Sequence, residues 1–206
     1  MNHLDPLERL ENRYFAMRHG HSIANLRGII VSHPENGCAD FGLSERGVAQ
    51  VAASLQLDAQ LDADTVIVSS DFRRALETAE LVRQVTVRQA PVEIDVRLRE
   101  RHFGTLELGP DSAYQGVWQR DAQDADDEFD EVESASRVMA RVSALIVDLE
   151  RRYSGASLLL VSHGDALQIL QTAFARQPAS AHRQLQHLQT AEIRSLILRS
   201  GDSKPA

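Results

Sequence analysis

Short, continuous apolar runs alternate along this chain with stretches in which an apolar residue returns every third or fourth position. Tyr14-Phe15-Ala16-Met17, Val66-Ile67-Val68 and Ser157-Leu158-Leu159-Leu160-Val161 show no polar alternation, the pattern of strands covered on both faces in a parallel sheet. Pro91 to Ile94 predicts a shorter strand, and Ile193 to Leu198 a final one at an edge. Between them, residues 44–57 predict a helix with Ser44 as N-cap. The cluster Ser69-Ser70-Asp71 predicts the cap of a second helix running to about Gln84. Val132, Ala135, Val138, Met139, Val142, Leu145, Ile146 and Leu149 keep an i, i+3, i+4 spacing. That stripe predicts a long amphipathic helix ending near Tyr153-Ser154-Gly155, with the apolar face in the core. A further helix is predicted from Gly164 to about Ala175, whereas residues 101–131 read as irregular, with glycines at 104, 109 and 116. The alternation predicts an α/β fold, a three-layer α/β/α arrangement with a mostly parallel central sheet. One domain, residues 1–206, is expected, with residues 101–133 as a lid-like insert.

Composition narrows the classes. No apolar run approaches the roughly 20 residues of a membrane span. The opening MNHLDPLERLENR is polar and mixed in charge, unlike a secretion signal. Cys38 is the single cysteine, which excludes an intrachain disulfide and fits a cytoplasmic location. A net charge of −8 argues against a nucleic-acid surface, so any positive potential must be local.

Two predicted strands end in a histidine before a glycine: Arg18-His19-Gly20 and Ser162-His163-Gly164. In such folds ligands sit beyond the carboxyl ends of strands. A neutral imidazole attacks phosphorus when one nitrogen is unprotonated and the other is held by a hydrogen bond. Arg18 offers a planar fork to phosphate oxygens, and Gly20 leaves space for phosphate to approach the backbone. Arg73 and Arg74 add cations at a predicted helix start, where free N–H groups favour anions. His163, if protonated, adds charge opposite the transferring group. Glu100, after Leu98-Arg99, is a candidate general acid, its pKa raised by a bound phosphate dianion. Singly, each has a bland reading: a structural histidine, a solvated helix face, one of thirty carboxylates. Jointly they favour phosphoryl transfer.

Four segments carry more than chemistry. They are Met17-Arg18-His19-Gly20-His21-Ser22 followed by Asn25; Ser69-Ser70-Asp71-Phe72-Arg73-Arg74-Ala75-Leu76-Glu77-Thr78-Ala79; Leu98-Arg99-Glu100-Arg101-His102-Phe103-Gly104; and Val161-Ser162-His163-Gly164. On these, and on Gly42-Leu43-Ser44-Glu45-Arg46-Gly47, the chain resembles the histidine phosphatase superfamily, in its phosphoglycerate-mutase-like branch. The resemblance implies a metal-independent, acid-phosphatase-like phosphomonoesterase without cofactors. His19 becomes phosphorylated, Glu100 donates a proton to the leaving group, and water cleaves the phosphohistidine. Arg18, Arg74, Asn25 and His163 hold the phosphate, with Ser22 and Gly164 in the binding set. Register makes Arg74, not Arg73, the phosphate ligand. The implied partner is a phosphorylated small molecule or a phosphoprotein, with no nucleic acid and no membrane; an oligomer is compatible with the sequence.

Three departures stand out. His21 replaces a common Glu or Gln, and Glu107-Leu108 a common Glu-Gly, which alters the pocket rim. Asp165, at a helix start, is expected to cap it rather than meet substrate. True mutases of this family carry basic residues in the insert, yet Pro110 to Glu133 holds nine carboxylates and only Arg120. Such an insert repels a small polyanion, which favours a phosphatase over a mutase-type phosphotransferase, unless the stretch is merely a solvated loop. Tyr114, Trp118 and Phe129 either line an apolar wall or pack. Two rival classes weigh less. His19-x-His21 and His163-x-Asp165 resemble metal pairs, but arginines sit badly beside a cation. A non-catalytic phosphate-binding module on the same fold is countered by the complete set of catalytic residue types. A phosphatase of phosphohistidine proteins is a further enzymatic reading, since the acidic insert suits a basic surface. His33, His102, His182 and His187 read as surface or supporting histidines, His102 drawing notice two residues from Glu100.

Overall fold

The computed structural model describes residues 1–57 and 60–200. In chain order the elements are β1 (Arg13–Arg18), α1 (Ile23–Arg27), α2 (Pro34–Ala39), α3 (Glu45–Leu57), β2 (Val66–Ser69), α4 (Arg73–Val85), β3 (Glu93–Ile94), α5 (Tyr114–Asp121), α6 (Ala135–Arg152), β4 (Ser157–Ser162), α7 (Gly164–Phe174) and β5 (Ile193–Leu196). The strands form one sheet in the order β3-β2-β4-β1-β5. All neighbours are parallel except β5, which pairs antiparallel with β1 at the edge. The expected three layers follow from the alternation of strand side chains. Tyr14, Ala16, Val66, Val68, Leu158 and Leu160 pack with α6 and α7 on one face. Phe15, Met17, Ile67, Leu159 and Val161 pack with α3 and α4 on the other. Among the described residues, no helix is long and apolar enough to cross a membrane.

Three expectations need correction. The long helix begins at Ala135, not Val132, because Ser134 takes the N-cap and accepts from the Arg137 N–H. Val132 belongs instead to a small separate core with Ile30, Phe103 and Val117. The Ser69-Ser70-Asp71 cluster does not cap α4, whose N-cap position is held by Phe72 without a side-chain bond. Ser70 Oγ lies 2.9 Å from His163 Nε2, and Asp71 pairs with Arg99 at 2.8 and 2.5 Å. Residues 101–131 are not wholly irregular, since they carry α5 between short 3-10 turns.

The insert is anchored by buried charge. Arg101 is fully buried and donates to both oxygens of Asp121, at the end of α5, at 2.6 and 2.8 Å. Asp121 also lies 3.0 Å from Nε2 of the buried His182. Burial alone would push the Asp121 carboxyl up, but the bonds from His182 and Arg101 hold it below its usual range. Removing one member of such a network strands its partner in a medium of low polarity. Arg101→Leu is therefore expected to destabilise the protein by about 3–5 kcal/mol, read as a lowered midpoint in urea unfolding.

Candidate active site

The sheet register assembles the site. Arg18 on β1 pairs with Ser162 on β4, and Ser69 on β2 with Val161 on β4. The next residues of three adjacent parallel strands, His19, His163 and Ser70, therefore leave the sheet side by side. Backbone bonds fix that exit: His19 N–H donates to Ser162 O at 3.0 Å and Ser70 N–H to Val161 O at 3.0 Å. The His19 and His163 ring centroids lie 5.2 Å apart.

His19 is buried, and its Nδ1 lies 2.8 Å from Gly20 O. A carbonyl only accepts, so Nδ1 carries the proton and Nε2 the lone pair. That lone pair accepts from Arg74 Nε at 3.1 Å. Burial, then Arg74 and Arg18, hold the His19 pKa well below the usual histidine range, so the ring is neutral. Arg74 is buried and donates a second bond to Val31 O at 2.9 Å. Arg18 donates from Nη1 to Leu188 O at 3.1 Å and lies 2.8 Å from His187 Nε2. Among the described residues, four buried nitrogens here have no hydrogen-bond partner: Arg18 Nε, Arg74 Nη1, His163 Nδ1 and His187 Nδ1. Neither arginine forms an ion pair among the described residues, although burial works against both charges. Glu100 is buried, and its Oε1 accepts from the backbone N–H of Arg101 at 2.9 Å and of Ala166 at 3.2 Å. Burial first, then Asp165, raise its pKa. Oε2 is the oxygen left without a backbone donor and so the one free to carry a proton.

These groups enclose a cavity of about 190 Å³, lined by Arg18, His19, Ser22, Asn25, Arg74, Glu100 and Gly164. Asp111, Tyr114 and Trp118 supply its wall from the insert. A larger cavity, about 700 Å³, lies beside Glu100 and includes His33 and His102. The two arginines and His19 meet only in the smaller one.

A sequence model of the histidine phosphatase superfamily (branch 1) matches residues 14–204. The chain belongs to that superfamily. A probable phosphoglycerate mutase GpmB of Escherichia coli is 31% identical over 176 residues, which is 83% of this chain and 78% of that protein. A mycobacterial glucosyl-3-phosphoglycerate phosphatase, solved with VO3, superposes with a TM-score of 0.72 at 27% identity, over 89% of this chain and 91% of its own. A putative alpha-ribazole-5'-P phosphatase from Escherichia coli gives 0.70 at 26% identity, over 89% of each chain. Histidine phosphatases of this kind are phosphatases or mutases, and that coarse activity class extends to this chain.

Within this superfamily member, the predicted residues converge, with differences. Arg74 enters the pocket while Arg73 pairs with Glu77 on the surface. Ser22 spends its hydroxyl on Asn25, donating to Oδ1 and accepting from N–H, which leaves the Asn25 Nδ2 free of that exchange. His163 does not reach the cavity wall; it is fully buried, and burial with Arg74 and His19 keeps it neutral rather than charged. Gly20 is needed for packing: a Cβ there would meet Gly47 O of α3 at 2.7 Å. Asp165 forms no cap bond; it accepts from Trp118 Nε1 at 3.0 Å and faces Arg101 at 3.6 Å and Arg183 at 3.8 Å. His21 turns to Ser44 Oγ at 2.9 Å and lines neither cavity. Leu108 adopts φ 61°, a conformation that glycine takes without cost, which accounts for the glycine common there. Tyr114 and Trp118 stack, with centroids 5.6 Å apart, whereas Phe129 packs under Arg120 in the insert. The insert is less of an acidic field than its composition implies. Asp121, Asp127, Glu128 and Glu133 are ion-paired, and Asp111 alone of the nine lines the smaller cavity.

Sequence reasoning missed His187. It sits in the loop before β5 with no glycine or arginine signature, and only its contact to Arg18 marks it. An arginine only donates, so His187 Nε2 accepts and the ring is neutral; burial and Arg18 pull its pKa down to about 4. His187→Ala is expected to weaken competitive inhibition by vanadate about tenfold, the worth of one bond to a charged donor. His187→Gln, whose carbonyl accepts in the same place, restores most of it. In the parent protein that inhibition weakens as pH falls through about 4, where His187 gains a proton beside Arg18; the Gln variant lacks this component.

Proposed function

We propose that the chain is a metal-independent phosphatase that hydrolyses phosphate monoesters through a phosphohistidine on His19, with Glu100 as proton donor. The observation that carries this reading is a pair of partnerless buried guanidinium donors, Arg18 Nε and Arg74 Nη1, that line the same cavity as His19, whose Nε2 holds the lone pair. Unsatisfied buried donors are costly, and a phosphoryl group supplies an acceptor for each. His163 stands beside His19 as a neutral, buried support, its ring 5.2 Å away and its Nε2 2.9 Å from Ser70 Oγ.

In the first step His19 Nε2 attacks phosphorus and the bond to the ester oxygen breaks. The Glu100 proton passes to that oxygen, so an alcohol leaves and a carboxylate remains. Arg74 Nε, which occupies the Nε2 lone pair at rest, turns to the phosphoryl oxygens. In the second step Glu100 takes a proton from water, the hydroxide attacks phosphorus, and the P–N electron pair returns to Nε2. Arg18 and Arg74 hold the equatorial oxygens throughout, in the role a metal serves elsewhere. Asn25 and Gly164 border the same group, with Ser22 fixing Asn25. The two guanidiniums are both committed to one phosphoryl group, which favours transfer to water over a mutase cycle that must also grip a substrate carboxylate. The partner on this reading is a phosphorylated small molecule.

Hydrolysis of para-nitrophenyl phosphate in the presence of a chelator tests this. Turnover is expected to persist, and His19→Ala to abolish it while leaving the circular dichroism spectrum intact. Glu100→Gln is expected to slow alkyl phosphates about 10²–10⁴-fold and the activated aryl ester far less; an equal loss on both would remove Glu100 from the acid role. A raised pKa means that the acid form is present at low pH and lost as pH rises through that pKa. Alkyl phosphate turnover should therefore fall on the alkaline side, and Glu100→Gln should lack that limb.

A further inference from the structure

Once a phosphoryl group has taken Arg18 and Arg74, the charge left in the smaller cavity decides what else the substrate carries. His19 and His187 are neutral, and on the phosphatase reading Glu100 enters as the acid, with burial and Asp165 raising its pKa. Of the other charged lining groups, Asp165 is already engaged by Trp118 Nε1 and faces Arg101 and Arg183. That leaves Asp111. Its carboxylate lines the cavity and makes no hydrogen bond or ion pair among the described residues. Its backbone is fixed at the rim, where Asp111 N–H donates to Gly28 O at 2.9 Å and Pro110 bridges to Ile29. Gly28, at φ 63°, has no side chain to shield it: a Cβ there would lie 3.8 Å from Asp111 Oδ1. The remaining polar lining is uncharged, namely Ser22, whose hydroxyl is spent on Asn25, the Asn25 amide and Tyr114. Burial raises the Tyr114 pKa, which keeps it a neutral phenol.

Resting on the phosphatase reading, we propose that the substrate is a phosphate monoester whose leaving group is uncharged or cationic, and that Asp111 rejects leaving groups bearing a carboxylate. No lining cation remains to pair a second anion, while Asp111 repels one and attracts an ammonium group. Specificity of this kind comes from a built-in repulsion rather than from a tighter grip. The hydroxyls of a neutral leaving group find partners in Asn25 and Tyr114. Because the rim is open to solvent, the discrimination is screened by salt.

The test compares glycerol 3-phosphate with 3-phosphoglycerate, which differ by a hydroxymethyl in place of a carboxylate, and adds phosphoethanolamine as the ammonium probe. The parent protein is expected to favour glycerol 3-phosphate over 3-phosphoglycerate by about tenfold in kcat/KM, equal to about 1.4 kcal/mol. Phosphoethanolamine should be at least as good as glycerol 3-phosphate. Asp111→Asn should cut the ratio at least about fivefold, Asp111→Lys should invert it, and 0.5 M salt should shrink it in the parent protein only. A parent protein that prefers 3-phosphoglycerate, or a ratio indifferent to both substitutions, overturns the proposal. The same comparison by calorimetric binding to His19→Ala, with and without Asp111→Asn, reads the selectivity even where no ester turns over. Loss of His19-dependent turnover of para-nitrophenyl phosphate would instead strike the phosphatase reading. An unchanged ratio with that turnover intact strikes the inference alone.

Discussion

Everything at the site depends on the parallel pairing of β1 with β4. Arg18 stands opposite Ser162, so the two strands end level and their next residues, His19 and His163, emerge as neighbours. A slip of one residue in that pairing would carry His19 away from His163 and exchange the layer that each strand side chain meets. The continuous apolar runs on both strands, packed from above and below by four helices, lock that register. The imidazole arrangement is thus a by-product of core packing, held by cohesion far larger than any single bond within the site.

Two guanidiniums are then buried beside those rings with backbone carbonyls and neutral imidazoles as partners, and no carboxylate among the described residues is paired to them. A salt bridge would have cancelled their charge; carbonyl acceptors hold their geometry and leave the field intact. Burial first, and that field second, keep protons off His19, His163 and His187 and preserve the Nε2 lone pair. The same field makes the cavity attractive to an anion.

Much of this was legible in the chain because the signals are local. Apolar runs marked the buried strands, a histidine before a glycine marked each strand exit, and register within the resembled motif separated Arg74 from Arg73. What was hidden depends on contacts between distant positions. His187 acquires meaning only against Arg18, 169 residues away, and Asp121 only against Arg101 and His182. Neither has a spacing to detect. The helix α5 escaped because its anchors are a buried aspartate and a tryptophan bound to Asp165, not an apolar stripe. Nor does sequence show a dihedral angle: Leu108 looks like a substitution at a rim, whereas its positive φ marks a backbone position that suits glycine. The acidity of the insert was read too literally, since composition counts charges and cannot see that four of them are paired.

Glu100 and Arg101 are joined by one peptide bond, yet they face opposite duties. The first carries the acid into the cavity, and the second holds the end of α5 through Asp121. The peptide N–H between them also binds Glu100 Oε1. The insert is therefore not an exchangeable module. A segment transplanted from a relative would have to bring an anion to the position of Asp121, or the strain of a stranded arginine would be delivered at the adjacent residue. The cavity wall can change freely only where that one carboxylate stays in place.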